Sequence, residues 1–261
     1  MNAPRRIGIL GGMGPEATVL LMQRLIAGVP ARDDADHIPL YVDMNPQVPS
    51  RIARLIEGRG RDPGPVLAEM ARGLEESGAE ALAMPCNTAH HYAPQIAAAV
   101  SIPLLNMVEL SADAALRAAG RGAGVGIIAS PAVRLTGVFE PALKARGLRP
   151  VYPEEAAEAA LFDAIRAIKR DGVGASERAT LRRAVEVLTE ADAAVALVAC
   201  TELSLAADAL GPDAPAIDTL DVLARAVICF ATNGSESGAP REVPRTEGES
   251  GTPRSQKVEQ A

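Results

Sequence analysis

Two cysteines hold positions in this chain where thiol chemistry is available. Cys86 follows the apolar run 81–84 through Pro85, and Cys200 follows the apolar run 194–199. Each run reads as a buried strand, and each cysteine as the residue that opens the next helix. At such a helix start the dipole and the free N–H groups favour thiolate and bind anions. A single cysteine there would be unremarkable, since unpaired Cys is among the most buried residue types. Two of them facing one cleft could take a proton from one face of a carbon and return one to the other. Cys229 lies in an apolar stretch with no counterpart elsewhere and reads as core.

The elements needed to bring the two thiols together are legible in the chain. Ile7 to Leu10 is a short apolar run stopped by Gly11-Gly12 and followed by Pro15 and an apolar-periodic stretch, which predicts strand, turn and helix. Strands follow at 38–44, 81–84 and 102–105, with helices at 66–77 and 89–99. The second half repeats the first. Gly126 echoes Gly8 at an offset of 118, Cys200 echoes Cys86 at 114, and Pro215-Ala216-Ile217-Asp218 echoes Pro103-Leu104-Leu105-Asn106 at 112. A period that long is an internal duplication and not a solenoid. Alternating strands and helices predict parallel sheets covered on both faces. The expected fold is therefore α/β, with two similar doubly wound lobes, each with a parallel four-stranded sheet, related by a pseudo-two-fold. The site lies in the cleft between them, beyond the carboxyl ends of the strands. The first lobe spans 1–106 and regains the segment 217–232, whose helix covers 219–231. The second spans 107–216, and the Gly-, Ser-, Glu- and Pro-rich stretch 233–261 reads as a disordered tail.

Composition narrows the chemistry further. The chain has 261 residues, 48% hydrophobic but only 2% aromatic and without Trp, so Ala, Val, Leu and Ile must fill its cores. That scarcity of rings argues against a base-stacking platform, and a net charge of −7 argues against a polyanionic partner. Neither a signal peptide nor a run long enough to span a membrane is evident. Three cysteines make a poor disulfide framework, which points to a reducing cytoplasm.

Three segments carry a family resemblance: Gly11-Gly12-Met13-Gly14-Pro15-Glu16-Ala17-Thr18, Cys86-Asn87-Thr88-Ala89-His90 and Cys200-Thr201-Glu202-Leu203. In order and spacing they resemble the signatures of the aspartate/glutamate racemases. The resemblance implies a pseudo-symmetric fold, usually dimeric, and inversion at Cα of aspartate or glutamate by a thiolate/thiol pair, without pyridoxal phosphate or another cofactor. It also implies that Arg51 and Lys169 grip substrate carboxylates. Met13, Asn87, Thr88 and Thr201 would complete the substrate site. His90 reads as an orienting residue and His91 as non-catalytic, while Glu202 leans toward a structural place in the first helical turn. One departure is Ala199, where Gly before Cys is the commoner form, adding a Cβ that could narrow the cleft.

Other readings compete. Gly12-Met13-Gly14-Pro15-Glu16-Ala17 formally matches a dinucleotide-binding turn, with Asp43 at the end of the next strand. The second lobe has Ala129-Ser130-Pro131 there instead, and that reading leaves the cysteine pair unexplained. Nearer alternatives are a two-cysteine isomerase or decarboxylase of small dicarboxylates, and a catalytically weak relative that only binds an acidic metabolite.

Overall fold

The computed structural model describes residues 3–232, so the stretch read above as a tail lies outside the described residues. The first half runs β1 (Ile7–Gly11), α1 (Pro15–Gly28), β2 (Leu40–Met44), α2 (Arg51–Leu55), α3 (Gly64–Glu76), β3 (Ala81–Ala83), α4 (Ala93–Ala99), β4 (Leu104–Leu105) and α5 (Met107–Ala119). The second runs β5 (Gly124–Ile128), α6 (Pro131–Thr136), α7 (Glu140–Ala145), β6 (Arg149–Val151), α8 (Glu155–Asp171), α9 (Ala175–Glu190), β7 (Ala193–Val198), β8 (Ala216–Asp218) and α10 (Thr219–Thr232). Two four-stranded sheets form, ordered β2-β1-β3-β4 and β6-β5-β7-β8, with every pairing parallel. The two-lobe α/β architecture is the one the duplication predicts.

The central strands β1 and β5 are buried at every position, as strands covered by helices on both faces must be. The covering helices bury a single stripe: Leu161, Ala164, Ile165 and Ile168 on α8, and Leu181, Ala184, Val185 and Leu188 on α9. These three- and four-residue steps keep one helical face inward.

The repeated glycines have one physical cause. A Cβ on Gly8 would come within 3.0 Å of Leu74 Cβ and 2.9 Å of Leu82 Cδ2, and one on Gly126 within 3.1 Å of Leu188 Cβ and 3.3 Å of Ala196 Cβ. Leu74 and Leu188, like Leu82 and Ala196, stand 114 positions apart, the same offset as the cysteines. In both lobes a helix and a neighbouring strand close onto a central strand that has no room for a side chain.

The closing helix of each half packs onto the other half. Met107 at the start of α5 belongs to the first-lobe core, but Val108, Ala112 and Ala115 pack with Val125, Ile127, Val195 and Leu197 of the second. Reciprocally, Leu220, Leu223, Ala224 and Val227 of α10 pack with Ile7, Ile9, Leu21 and Leu25 of the first. Each helix is started by the residue that ends a repeated segment. Asn106 Oδ1 accepts from the N–H groups of Val108 (3.0 Å) and Glu109 (3.2 Å), and Asp218 Oδ1 accepts from that of Leu220 (2.9 Å).

Candidate active site

The carboxyl ends of the strands face one narrow cleft. The first lobe contributes Met13, Arg51, Cys86 and Thr88 to its lining, and the second Ser130, Lys169, Cys200 and Glu202. Ile52 and Ile165 supply apolar walls. The short helices α2 and α6 pack against each other, so one element from each lobe meets its opposite number beside the site.

Local structure around the thiols differs from the sequence expectation. No α-helix begins at either cysteine. A 3-10 turn covers Thr88–Tyr92 and α4 starts only at Ala93, where Pro94 takes a first-turn position that needs no N–H donor. After Cys200 the chain forms a 3-10 segment, Leu203–Ala209, and no α-helix until α10. Stabilisation of thiolate by an aligned α-helix dipole is thus not what these positions offer. Cys86 is 7% exposed and Cys200 is 8% exposed. Burial, followed by the neighbouring Glu202 carboxylate, pushes the Cys200 thiol well above its ordinary range, with Lys169 partly offsetting the rise.

Glu202 is the principal residue that sequence reasoning undervalued. Its Oε2 accepts a hydrogen bond from Cys200 Sγ at 3.1 Å, and its Oε1 lies 2.8 Å from Lys169 Nζ. Burial alone would pull the Lys169 ammonium down, but the Glu202 carboxylate, with Cys200 and Cys86 in their thiolate forms, holds it above the ordinary lysine value. Lys169 projects from the last turn of α8 with its side chain 42% exposed, and Arg166 stacks instead on the Phe162 ring at 4.0 Å. The signal for Glu202 was available: an acid two residues beyond a strand-end cysteine, where the other lobe carries Thr88.

Arg51 opens α2, donating from Nη2 to Met13 O (3.2 Å) and from Nη1 to Pro49 O (3.4 Å), while its buried Nε has no protein partner. Those bonds seat the guanidinium at the edge of the cleft beside Met13. Thr88 Oγ1 lies 3.5 Å from Ser130 Oγ, joining the lobes across the lining.

Asn87 and Thr201 lie behind the lining. Asn87 Nδ2 donates to Thr219 Oγ1 (3.0 Å) and Thr201 Oγ1 donates to Pro85 O (3.2 Å), so each side chain braces its thiol-bearing loop. His90 does the same for Cys86. Its Nε2 accepts from the Met107 N–H at 3.0 Å, which puts the ring proton on Nδ1, 2.9 Å from the Cys86 carbonyl. Burial drives its pKa down to about 4, so the ring stays neutral. His91 is exposed and faces a separate depression with Tyr92. Ala199 is fully buried in the second-lobe core with α5, so its methyl group takes no room from the cleft. Cys229, on α10, is not among the lining residues.

The glycine turn after β1 is closed by protein. Gly12 has φ +88°, and a Cβ there would sit 2.4 Å from the Asn45 carbonyl carbon; one on Gly14 would sit 3.3 Å from Glu202 Oε1. These glycines allow β2 and Glu202 to approach, which accounts for them without a dinucleotide. Among the described residues no helix is long and apolar enough to cross a membrane.

Comparison with known proteins places this geometry. The model of the Asp/Glu/hydantoin racemase family matches residues 10–227. The chain is 26% identical over 228 residues to the broad specificity amino-acid racemase RacX of Bacillus subtilis, covering 85% of this chain and 96% of that protein. Among solved structures, it resembles the aspartate racemase of Picrophilus torridus, with TM-score 0.74, 27% identity, and 87% and 94% of the two chains covered. A glutamate racemase from Bacillus anthracis shares the fold, with TM-score 0.60, 19% identity, and 89% and 82% covered.

Proposed function

The chain belongs to the Asp/Glu/hydantoin racemase family, and on that premise we propose that it racemises an acidic amino acid, aspartate before glutamate, with Cys86 and Cys200 as a thiolate/thiol pair and no cofactor. The observation that carries this reading is the convergence of two thiols, from equivalent strand ends of a duplicated fold, on a cleft that also holds Arg51 and Lys169. The similarity to an aspartate racemase favours aspartate.

In this mechanism Arg51 and Lys169 hold the substrate carboxylates, with Met13 and Thr88 at its flanks, while Asn87 and Thr201 keep the two thiol loops in place. The α-carbon sits between the sulfurs. One thiolate takes the α-proton, and the opposite thiol gives its own proton to the other face, leaving the pair with exchanged protonation. The carbanion that develops between these steps is stabilised by the groups holding the α-carboxylate. Thiols that must stay reduced suit a cytoplasmic enzyme, and the family resemblance suits a homodimer.

A second reading, a wider substrate range, has its own support. Glu202 already neutralises Lys169, and Ile52 and Ile165 give the cleft apolar walls. Among the described residues that line the cleft, Arg51 is then the cation left for the α-carboxylate, as a neutral amino acid requires. Proton NMR in D2O distinguishes the two, using L- and D-aspartate, L- and D-glutamate and a neutral pair such as L- and D-alanine, without added cofactor. Loss of the α-proton signal from the acidic pairs alone supports the first reading, and equal loss from the neutral pair supports the second. Absence of exchange with all six overturns both.

A further inference from the structure

The two thiols occupy equivalent places in the duplication, but their surroundings are not equivalent. Two residues beyond Cys200 stands Glu202, whose Oε2 accepts from Cys200 Sγ at 3.1 Å. Two residues beyond Cys86 stands Thr88, a neutral hydroxyl 3.5 Å from Ser130. The Glu202 side chain is 10% exposed and is held by Lys169 Nζ at 2.8 Å. With Lys169 on one oxygen, the other oxygen is turned to accept from the Cys200 thiol. Gly14, across the cleft, leaves room for it, since even a Cβ there would reach within 3.3 Å of Oε1.

We propose that Glu202 fixes the resting state of the thiol pair, holding the proton on Cys200 and leaving Cys86 to act as the first base. This rests on the two-thiol reading given above. In a turnover starting from rest, Cys86 thiolate takes the α-proton and becomes a thiol, while Cys200 gives its proton to the opposite face and becomes a thiolate. The enzyme returns to rest when Cys86 loses a proton to water and Cys200 gains one from water, so protons balance without a co-reactant. The thiolate form of Cys200 sits beside a carboxylate and is the less stable of the two free forms. The substrate enantiomer that presents its α-proton to Cys86 therefore meets a ready enzyme, and its mirror image meets a minor form.

The charged groups acting on Cys200 are Glu202 from its own loop and Lys169 from α8, and Cys86 and Arg51 of the first lobe share the cleft lining. Removing the Glu202 charge while keeping its shape, by Glu202→Gln, leaves Lys169 to favour Cys200 thiolate. Peptide mapping of iodoacetamide labelling against pH, on the full substrate-free chain, reads each thiol separately, because only thiolate reacts. The two cysteines are almost equally buried as residues, at 7% and 8% exposure, so a large difference in rate reports protonation. In the wild type, Cys86 should label about tenfold or more faster than Cys200 near neutral pH. In Glu202→Gln the labelling midpoint of Cys200 should fall by about one pH unit or more while that of Cys86 stays put. A purely structural Glu202 would leave that midpoint unmoved.

Equal labelling of the two thiols in the wild type overturns the proposal even if the variant does not fold. An unchanged Cys200 profile in a folded variant does so as well. Unequal labelling in a protein that exchanges no α-proton supports the asymmetry and counts against the racemase reading alone. Equal labelling in an active racemase does the reverse.

Discussion

Replacing His90 by glutamine should flatten the dependence of stability on pH in the acid range. His90 is buried between the Cys86 carbonyl and the Met107 N–H, bonded to both, and its pKa falls from 6.5 to about 4 because burial disfavours the charged ring. Between those two values the unfolded chain binds a proton that the folded chain does not. Stability is therefore full above the unfolded value and is lost as pH drops from about 6.5 toward 4. The drop from 6.5 to about 4 corresponds to about 3 kcal/mol. For a chain of this size that is a drop in Tm of roughly 6–12 °C. Glutamine can donate and accept across the same gap without titrating, so the variant should lack this component. Urea denaturation followed by far-UV CD, at several pH values for both proteins, gives the two curves. Glu75, Glu80 and Asp113 are all held below their ordinary values, so their titration falls lower and is common to both proteins. Curves that stay parallel from neutral pH down to about 4 would refute the assignment of His90 as a buried neutral brace. His90→Leu should lack the same pH-dependent component and in addition lose about 2–5 kcal/mol at neutral pH, since both backbone groups lose their partner.

Three further outcomes follow from named contacts. Cys86→Ala or Cys200→Ala alone should lower two-way racemisation by about a thousandfold or more, measured by chiral chromatography, and substantial activity in both single variants would end the two-base reading. Gly12→Ala should destabilise by about 2–4 kcal/mol in urea melts, because the new Cβ meets the Asn45 backbone at 2.4 Å on top of the strain of φ +88°. Gly58→Ala, at φ +65° with nothing within 4 Å, should cost only about 1 kcal/mol, and equal losses at the two sites would contradict the steric account. Arg24→Met should cost about 3–5 kcal/mol, since Arg24 Nη2 lies 2.8 Å from Asp218, whose side chain is only 6% exposed. A loss below 1 kcal/mol would mean that Asp218 finds compensation from Ser204 Oγ, 2.6 Å away.

The fold was legible because the duplication repeats residues whose roles are steric or capping. Gly8 and Gly126 had to be small under Leu74 and Leu188, and Asn106 and Asp218 had to start a helix; such constraints survive as residue types at fixed offsets. The strand ends, and hence Cys86, Thr88 and Cys200 in one cleft, follow from them. Helix starts at the cysteines were misread because proline and local turns decide whether a segment winds as α or 3-10, and Ala-rich composition is permissive of both. Asn87 and Thr201 could not be separated from the lining by type. An amide or hydroxyl beside a reactive thiol serves equally to bind a ligand or to brace a loop; here Thr219 takes up Asn87 Nδ2 and Pro85 the Thr201 hydroxyl, while the buried Asn87 Oδ1 has no protein partner. Ser130 went unnoticed as a lining residue because its partner across the lobes, Thr88, is 42 residues away in sequence.

The exchange of closing helices bears on how firmly the thiols are held apart. A racemase that uses two bases must keep its sulfurs on opposite sides of one carbon, and an error of about 1 Å can cost about a hundredfold in rate. Two lobes joined by a single linker would leave that spacing to a hinge. Here α5 has its first residue in one core and its remaining buried face in the other, and α10 crosses back to pack with α1 and α5. Bending the lobes apart would thus pull buried Val108, Ala112 and Ala115, or Leu223 and Val227, out of contact. The polar ties run along the same seam: Arg24 of α1 to Asp218 at the end of β8, Asn87 to Thr219, Thr201 to Pro85 and His90 to Met107. Three of the four join a thiol-bearing loop, or the residue that anchors it, to an exchanged helix or to the opposite lobe. The same duplication that supplies two thiols therefore also supplies the crossed helices that fix the gap between them.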